Sequence, residues 1–240
     1  MSGYVALNNN PINVTDPDGR DVIFVNGFRT GTGDADNRSS KFQDNLNKTY
    51  WNSANPNFTR EVNRYFNDNI NHFVTGSHFY GSKSSSRIAE GKTVGIQMVK
   101  SGEIKVSQDN HIMTIVMHSQ GNAEGVGIAL GIIEQSKKQG IDVTVNLVFL
   151  SVHQPKDIKM TDELKKRGIQ FTYANDNSKI VDPMGKIPGV EDANPNNKEW
   201  KKDGLKAHSA TVDDPAAFEE VKKVDQKKKI FVGKNGKSTK

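Results

Sequence analysis

A chain of 240 residues with 34% hydrophobic side chains and no cysteine can bury a core of its own, and it excludes disulfide scaffolds, thiolate metal sites and cysteine nucleophiles. The formal charge of +5 gathers at the carboxyl end, where residues 221–240 hold eight lysines and one aspartate. The rest of the chain is slightly acidic, which argues against a nucleic-acid-binding body. Residues 221–240 are expected to form a basic, flexible tail. The longest apolar run, Val126 to Ile133, is too short to cross a bilayer, and the first ten residues lack the basic and hydrophobic regions of a signal peptide.

Taken in chain order, Asn8 to Gly19 is turn chemistry without apolar periodicity, and residues 1–20 stand apart from the rest of the chain. Asp21 to Phe28 (DVIFVNGF) reads as a buried strand running into a tight Asn-Gly loop. Fifteen of the 24 asparagines fall in the first 71 residues, so the front third should be rich in loops. Phe58, Val62, Tyr65, Phe66, Ile70 and Phe73 recur at helical spacing and predict an amphipathic helix over 58–73. His78 to Tyr80 suits a short strand, and Ser86 to Lys100 a second helix.

The middle of the chain carries the clearest pattern. His111 to Met117 is a continuous apolar strand, followed by the polar run His118-Ser119-Gln120-Gly121-Asn122. A helix is expected from Ala123 to Lys138, closing near Gly140. Val143 to Leu150 predicts another buried strand, Thr161 to Arg167 a short helix, and Ile169 to Ala174 a further strand. From Asn175 onward the sequence reads mostly as loop, with a helix near Ala216 to Val221. Strands alternating with helices predict an α/β domain over 21–220, built on a mostly parallel sheet with helices on both faces.

Ligands of such folds gather at the carboxyl ends of the strands. Asn26-Gly27-Phe28, His118-Ser119-Gln120-Gly121 and Asn175-Asp176 are the polar clusters expected there, and His208 follows the last strand. Met-His-Ser-Gln-Gly at 117–121 resembles the G-x-S-x-G turn of α/β-hydrolases, lipases in particular, over roughly residues 21–210. In that turn a strained serine projects its hydroxyl while the next N–H faces an oxyanion. Gly121 fits the small residue the turn requires, and Met117 stands where the pattern has a second one. The resemblance implies Ser119 as nucleophile, His208 as base and Asp176 as the carboxylate that orients it. Asp182, in Ile180-Val181-Asp182-Pro183, is the rival acid, and His153 is the spare base. The backbone N–H groups of Gln120 and Phe28 would form the oxyanion hole, and residues 29–57 a lid. No metal or organic cofactor is implied.

A second resemblance lies in Pro11-Ile12-Asn13-Val14-Thr15-Asp16-Pro17-Asp18-Gly19, preceded by Tyr4 and Asn9-Asn10. It is similar to the end of the core of Rhs repeat proteins, P-x-x-x-x-D-P-x-G-L, with Arg20 in place of leucine. There the motif marks the start of a variable carboxyl-terminal toxin. Together the two resemblances imply a type VI secretion effector, exported without a signal peptide, that hydrolyses phospholipid or other acyl esters in a rival bacterium's membrane. A cognate immunity protein and the Rhs core of a parent chain would be its partners, and nucleic acid would not.

Overall fold

The computed structural model describes residues 21–27, 44–52, 55–68, 70–78, 82–109, 111–176, 184–201 and 205–233. Of the strand expected over 78–80, only His78 is described and it lies beyond the end of the nearest strand; the rest of it and most of the expected lid lie outside the described residues. Strand β1 (Val22–Asn26) leads to helices α1 (Asp44–Asn52) and α2 (Phe58–Phe66), then to strand β2 (Asn71–Thr75) and helix α3 (Ser84–Lys100). Next come β3 (Ile112–His118), α4 (Gly121–Lys138), β4 (Thr144–Leu150), β5 (Val152–His153), α5 (Asp162–Lys166) and β6 (Gly168–Phe171). The last elements are β7 (Met184–Gly185), β8 (Glu191–Asp192), α6 (Leu205–Asp213) and α7 (Pro215–Lys228).

Six strands form one sheet in the order β2-β1-β3-β4-β6-β8, and every neighbouring pair is parallel. The expected α/β fold with a parallel sheet is what the chain adopts. Strands β3 and β4 are nearly continuous apolar runs because both of their sides are buried. Alternate side chains of each strand join different cores. Ile23, Met117 and Phe149 pack with Val94 of α3 and Ile128 of α4. Phe24, Val116 and Leu150 pack with Trp51 of α1, Phe58 of α2 and Phe218 of α7.

Helices α3 and α4 meet backbone to backbone. A Cβ on Gly91 or Gly95 would come within 2.0 or 2.2 Å of the carbonyls of Glu124 and Ile128, and one on Gly127 or Gly131 would lie 2.2 Å from those of Ile88 and Lys92. Glycine at both ends of an i, i+4 step on each helix removes the side chains that would hold the axes apart. Gly95→Ala should therefore destabilise the fold by about 1–3 kcal/mol, although alanine is the better helix former by about 1 kcal/mol. The urea midpoint reads the sign, and a rise in stability would show that the helices do not touch there.

Two expectations need correction. The helix predicted over 58–73 stops at Phe66, because Asn67 turns left-handed (φ 55°) and donates its N–H to Asn63 O. Asp68 Oδ1 then accepts from Ile70 N at 2.7 Å, and Phe73 belongs to β2, stacked on Phe24 at 5.2 Å. Tertiary contact with β1 claims Phe73, and its helical spacing from Phe66 is a coincidence of register. The carboxyl end carries two helices where the sequence pattern predicts one short helix. Asp214 caps α7 by accepting from Ala216 N at 3.0 Å, with Pro215 in the first turn. Residues 221–228, expected as tail, are the second half of α7: Val221 is fully buried, and Asp225 accepts from Phe231 N at 2.8 Å.

At the amino end of the sheet, His72 of β2 lies 3.7 Å from Asp21 and 3.5 Å from Glu103. Burial alone would lower its pKa, but the two carboxylates outweigh it and raise the imidazole to about 9. A base whose folded pKa is raised stabilises most below its unfolded value of about 6.5, and that contribution fades as pH rises through about 9. Linkage between those two values amounts to about 3 kcal/mol. Denaturant unfolding between pH 6 and pH 10 should show the loss in the wild type, and His72→Gln should flatten it.

Candidate active site

The chain runs from β1 outward to β2, then returns to place β3 on the other side of β1. That reversal makes the carboxyl ends of β1 and β3 the sheet's topological switch point, the place where α/β sheets bind ligands. Ser119 follows β3 directly, and Gly27 follows β1. A Cβ on Gly27 would sit 2.3 Å from Ser119 Cβ and 3.0 Å from its Oγ, so the loop after β1 runs against the serine.

Ser119 has φ of 57°, a left-handed conformation that costs a non-glycine residue about 1–3 kcal/mol. The surroundings hold it there: Ser119 N donates to Leu150 O at 3.1 Å, and Asn122 Nδ2 donates to Ser119 O at 2.7 Å and to Leu150 O at 3.0 Å. Helix α4 begins immediately afterward. A Cβ on Gly121 would meet the carbonyls of Val25 and Asn26 at 2.5 Å, which is why glycine stands two residues past the serine. Met117 is accommodated from the other direction. Its side chain fills the space opposite Gly125, where a Cβ would come within 2.4 Å of Met117 Cγ. A glycine on α4 thus does what a small residue at 117 would otherwise do.

His208 lies on α6 and Asp176 in the loop after β6. His208 Nδ1 is 3.1 and 3.2 Å from the two oxygens of Asp176, a pair in which the carboxylate accepts the ring N–H. The Asp176 side chain is fully buried. Its loop is pinned by Asn175, whose amide donates to Trp200 O at 2.8 Å and accepts from Trp200 N at 2.9 Å. Among the described residues, His208 meets Asp176 through Nδ1, and no hydrogen bond joins Ser119 Oγ to His208 Nε2.

His118 joins these parts. Its ring lies 4.6 Å from that of His208, its Nε2 is 3.0 Å from His208 O, and its Nδ1 meets the Tyr50 hydroxyl. Burial, and next the neighbouring His208, hold His118 well below the usual imidazole pKa. A carbonyl only accepts, so Nε2 carries the proton, and the neutral ring's Nδ1 accepts from Tyr50.

The structure thus brings Ser119, Gln120, Asp176 and His208 to one rim of the sheet. Gln120 is the N-cap of α4, and its carbonyl accepts from Ala123 N at 3.2 Å. Phe28 and Asp182 lie outside the described residues. His153 is engaged elsewhere, with Arg87 donating to its Nδ1 at 3.3 Å and to Gln154 Oε1 at 2.8 Å. Sequence reasoning missed His78. Its Nε2 lies 2.7 Å from Glu124 Oε2, its Nδ1 lies 3.6 Å from Glu90 Oε2, and its backbone N donates to Gln120 Oε1 at 3.3 Å. These three side chains hold donor atoms within 4.8 Å of one another, the one such group among the described residues that could take a metal ion. Each ring nitrogen faces a different carboxylate, so His78 bridges the acidic side chains of α3 and α4. No spacing in the sequence links residues 78, 90 and 124.

No described helix is long and apolar enough to cross a membrane. Comparison of the chain with protein-family models, with curated proteins and with solved structures gives no match.

Proposed function

We propose that this protein is a serine hydrolase of carboxylic esters, with Ser119 as nucleophile, His208 as general base and Asp176 as the group that orients the base. One observation carries the reading: a serine in a left-handed strand-to-helix turn follows His118, whose ring lies 4.6 Å from that of His208 in a buried aspartate–histidine pair. A serine hydroxyl is a weak nucleophile until a base takes its proton. With Asp176 accepting from Nδ1–H, His208 presents a lone pair on Nε2, the tautomer that general-base catalysis needs. Attack on the ester carbonyl would place negative charge beside Gln120 N–H, with Phe28 N–H as the second donor. His208 then returns the proton to the departing alkoxide, and water attacking the acyl-serine by the same route completes the cycle.

The substrate we propose is a phospholipid or other acyl ester of a bacterial membrane, and the setting is that of an Rhs-linked effector with a cognate immunity protein. Both rest on the two sequence resemblances, and residues 1–20 lie outside the described part of the chain. Purified wild type should react stoichiometrically with a fluorophosphonate, and should release fatty acid from phospholipid vesicles. Turnover of short soluble esters without action on vesicles would move the substrate to another class. No labelling of folded protein, with detergent or vesicles present, would remove the hydrolase and leave a binding module on the same fold.

A further inference from the structure

On the hydrolase reading, we propose that His118, with its tautomer set by Tyr50, is a positioning residue that ties the nucleophile's turn to the catalytic base. His118 is covalently adjacent to Ser119, and its Nε2–H donates at 3.0 Å to the backbone carbonyl of His208 itself. A single hydrogen bond therefore spans from the residue before the nucleophile to the residue that must take its proton.

The other ties to His208 come from outside the turn. Ser151 Oγ and Thr211 Oγ1 also lie at 3.1 and 3.0 Å from His208 O, and these two hydroxyls are 3.0 Å apart. They hold α6 to the end of β4, where Leu150 O in turn accepts from Ser119 N at 3.1 Å, so this route reaches the serine's turn through the β4 backbone. The Asp176 contact fixes the ring's rotation from its own loop. Among these bonds the one from His118 is the direct side-chain link between His208 and the residue that precedes the serine.

Its direction is built in. The His118 ring is buried and neutral, so one nitrogen donates and the other accepts. Tyr50 of α1 supplies the hydroxyl at Nδ1, which leaves the proton on Nε2 where His208 O needs it. Tyr50 and Trp51 also contact the ring, at centroid distances of 5.7 and 6.5 Å. Helix α1 is thereby coupled to the base through two hydrogen bonds.

The test compares wild type with His118→Phe, His118→Gln and Tyr50→Phe, and Ser119→Ala serves as the reference for labelling. Phenylalanine keeps a ring but neither bond, whereas the glutamine amide reaches the position of Nε2–H. Fluorophosphonate labelling rates and steady-state turnover of p-nitrophenyl butyrate are read together, with ¹⁵N spectra of the histidine rings. His118→Phe should lower kcat by about 10–100-fold with KM changed by less than about twofold, the signature of a displaced base. His118→Gln should recover most of kcat, and Tyr50→Phe should fall between. The His118 ring should show the Nε2–H tautomer and no titration across the neutral range.

A wild type that labels, alongside His118→Phe at the wild-type rate, overturns the positioning role and leaves the hydrolase intact. Equal losses in the Phe and Gln variants also overturn it, since packing alone would then explain them. A folded wild type that does not label removes the hydrolase reading, and the positioning role with it.

Discussion

Ser119→Ala should abolish fluorophosphonate labelling and lower ester turnover by about 10³–10⁶-fold, with the fold intact. The substitution removes one side-chain oxygen and keeps the backbone bond from Asn122 Nδ2 to Ser119 O, and circular dichroism checks that the fold is kept. What remains should be the contribution of the oxyanion donors and of substrate binding. Stability offers an independent readout of the same position. Ser119→Gly relieves the left-handed strain at φ 57° and should raise stability by about 1 kcal/mol while being equally inactive. A catalytic turn that gains stability when it loses activity is under functional strain. If both variants retain wild-type turnover, the nucleophile is elsewhere.

Asp176→Asn should lower kcat by about 10⁴-fold, a larger loss than a missing hydrogen bond would produce. The asparagine amide can donate to His208 Nδ1, which would leave the ring proton on Nε2, the atom that has to accept from Ser119. The geometry survives and the tautomer is wrong. Asp176→Ala leaves a cavity but imposes no tautomer, and should be no worse than Asp176→Asn. Asp182→Asn should change kcat by less than about twofold. The reverse result, with Asp182 indispensable and Asp176 silent, would transfer the acid's role. Circular dichroism and the melting midpoint of each variant separate this from unfolding.

Much of the site is legible in the sequence, because its parts are short and local. His118-Ser119-Gln120-Gly121 between an apolar run and a helix reads as a strand-to-helix turn, and Asn175-Asp176 falls at a strand end. The long-range partners cannot be read in the same way. Met117 is too large for its place in the turn pattern, and its relief, Gly125, lies on a helix surface that faces it only after folding. His118 is visible as a neighbour of the serine, but its bond to His208 O joins residues 90 positions apart. His78 and Glu124 are equally invisible as a pair.

By itself the sequence determined the elements whose side-chain pattern is dictated by local chemistry: β3, α4 and β4, the parallel α/β class, and the order serine, aspartate, histidine along the chain. Apolar runs, a glycine past the helix end and turn-forming asparagines act through nearest neighbours, so one dimension suffices for them. Only the tertiary structure decided that Phe73 is a strand residue, that residues 221–228 are helix, and that Asp176 meets His208, 32 positions further along the chain. In each case the deciding free energy is the burial or pairing of groups distant in the chain. Local propensity has no access to contacts that exist only once the sheet has assembled.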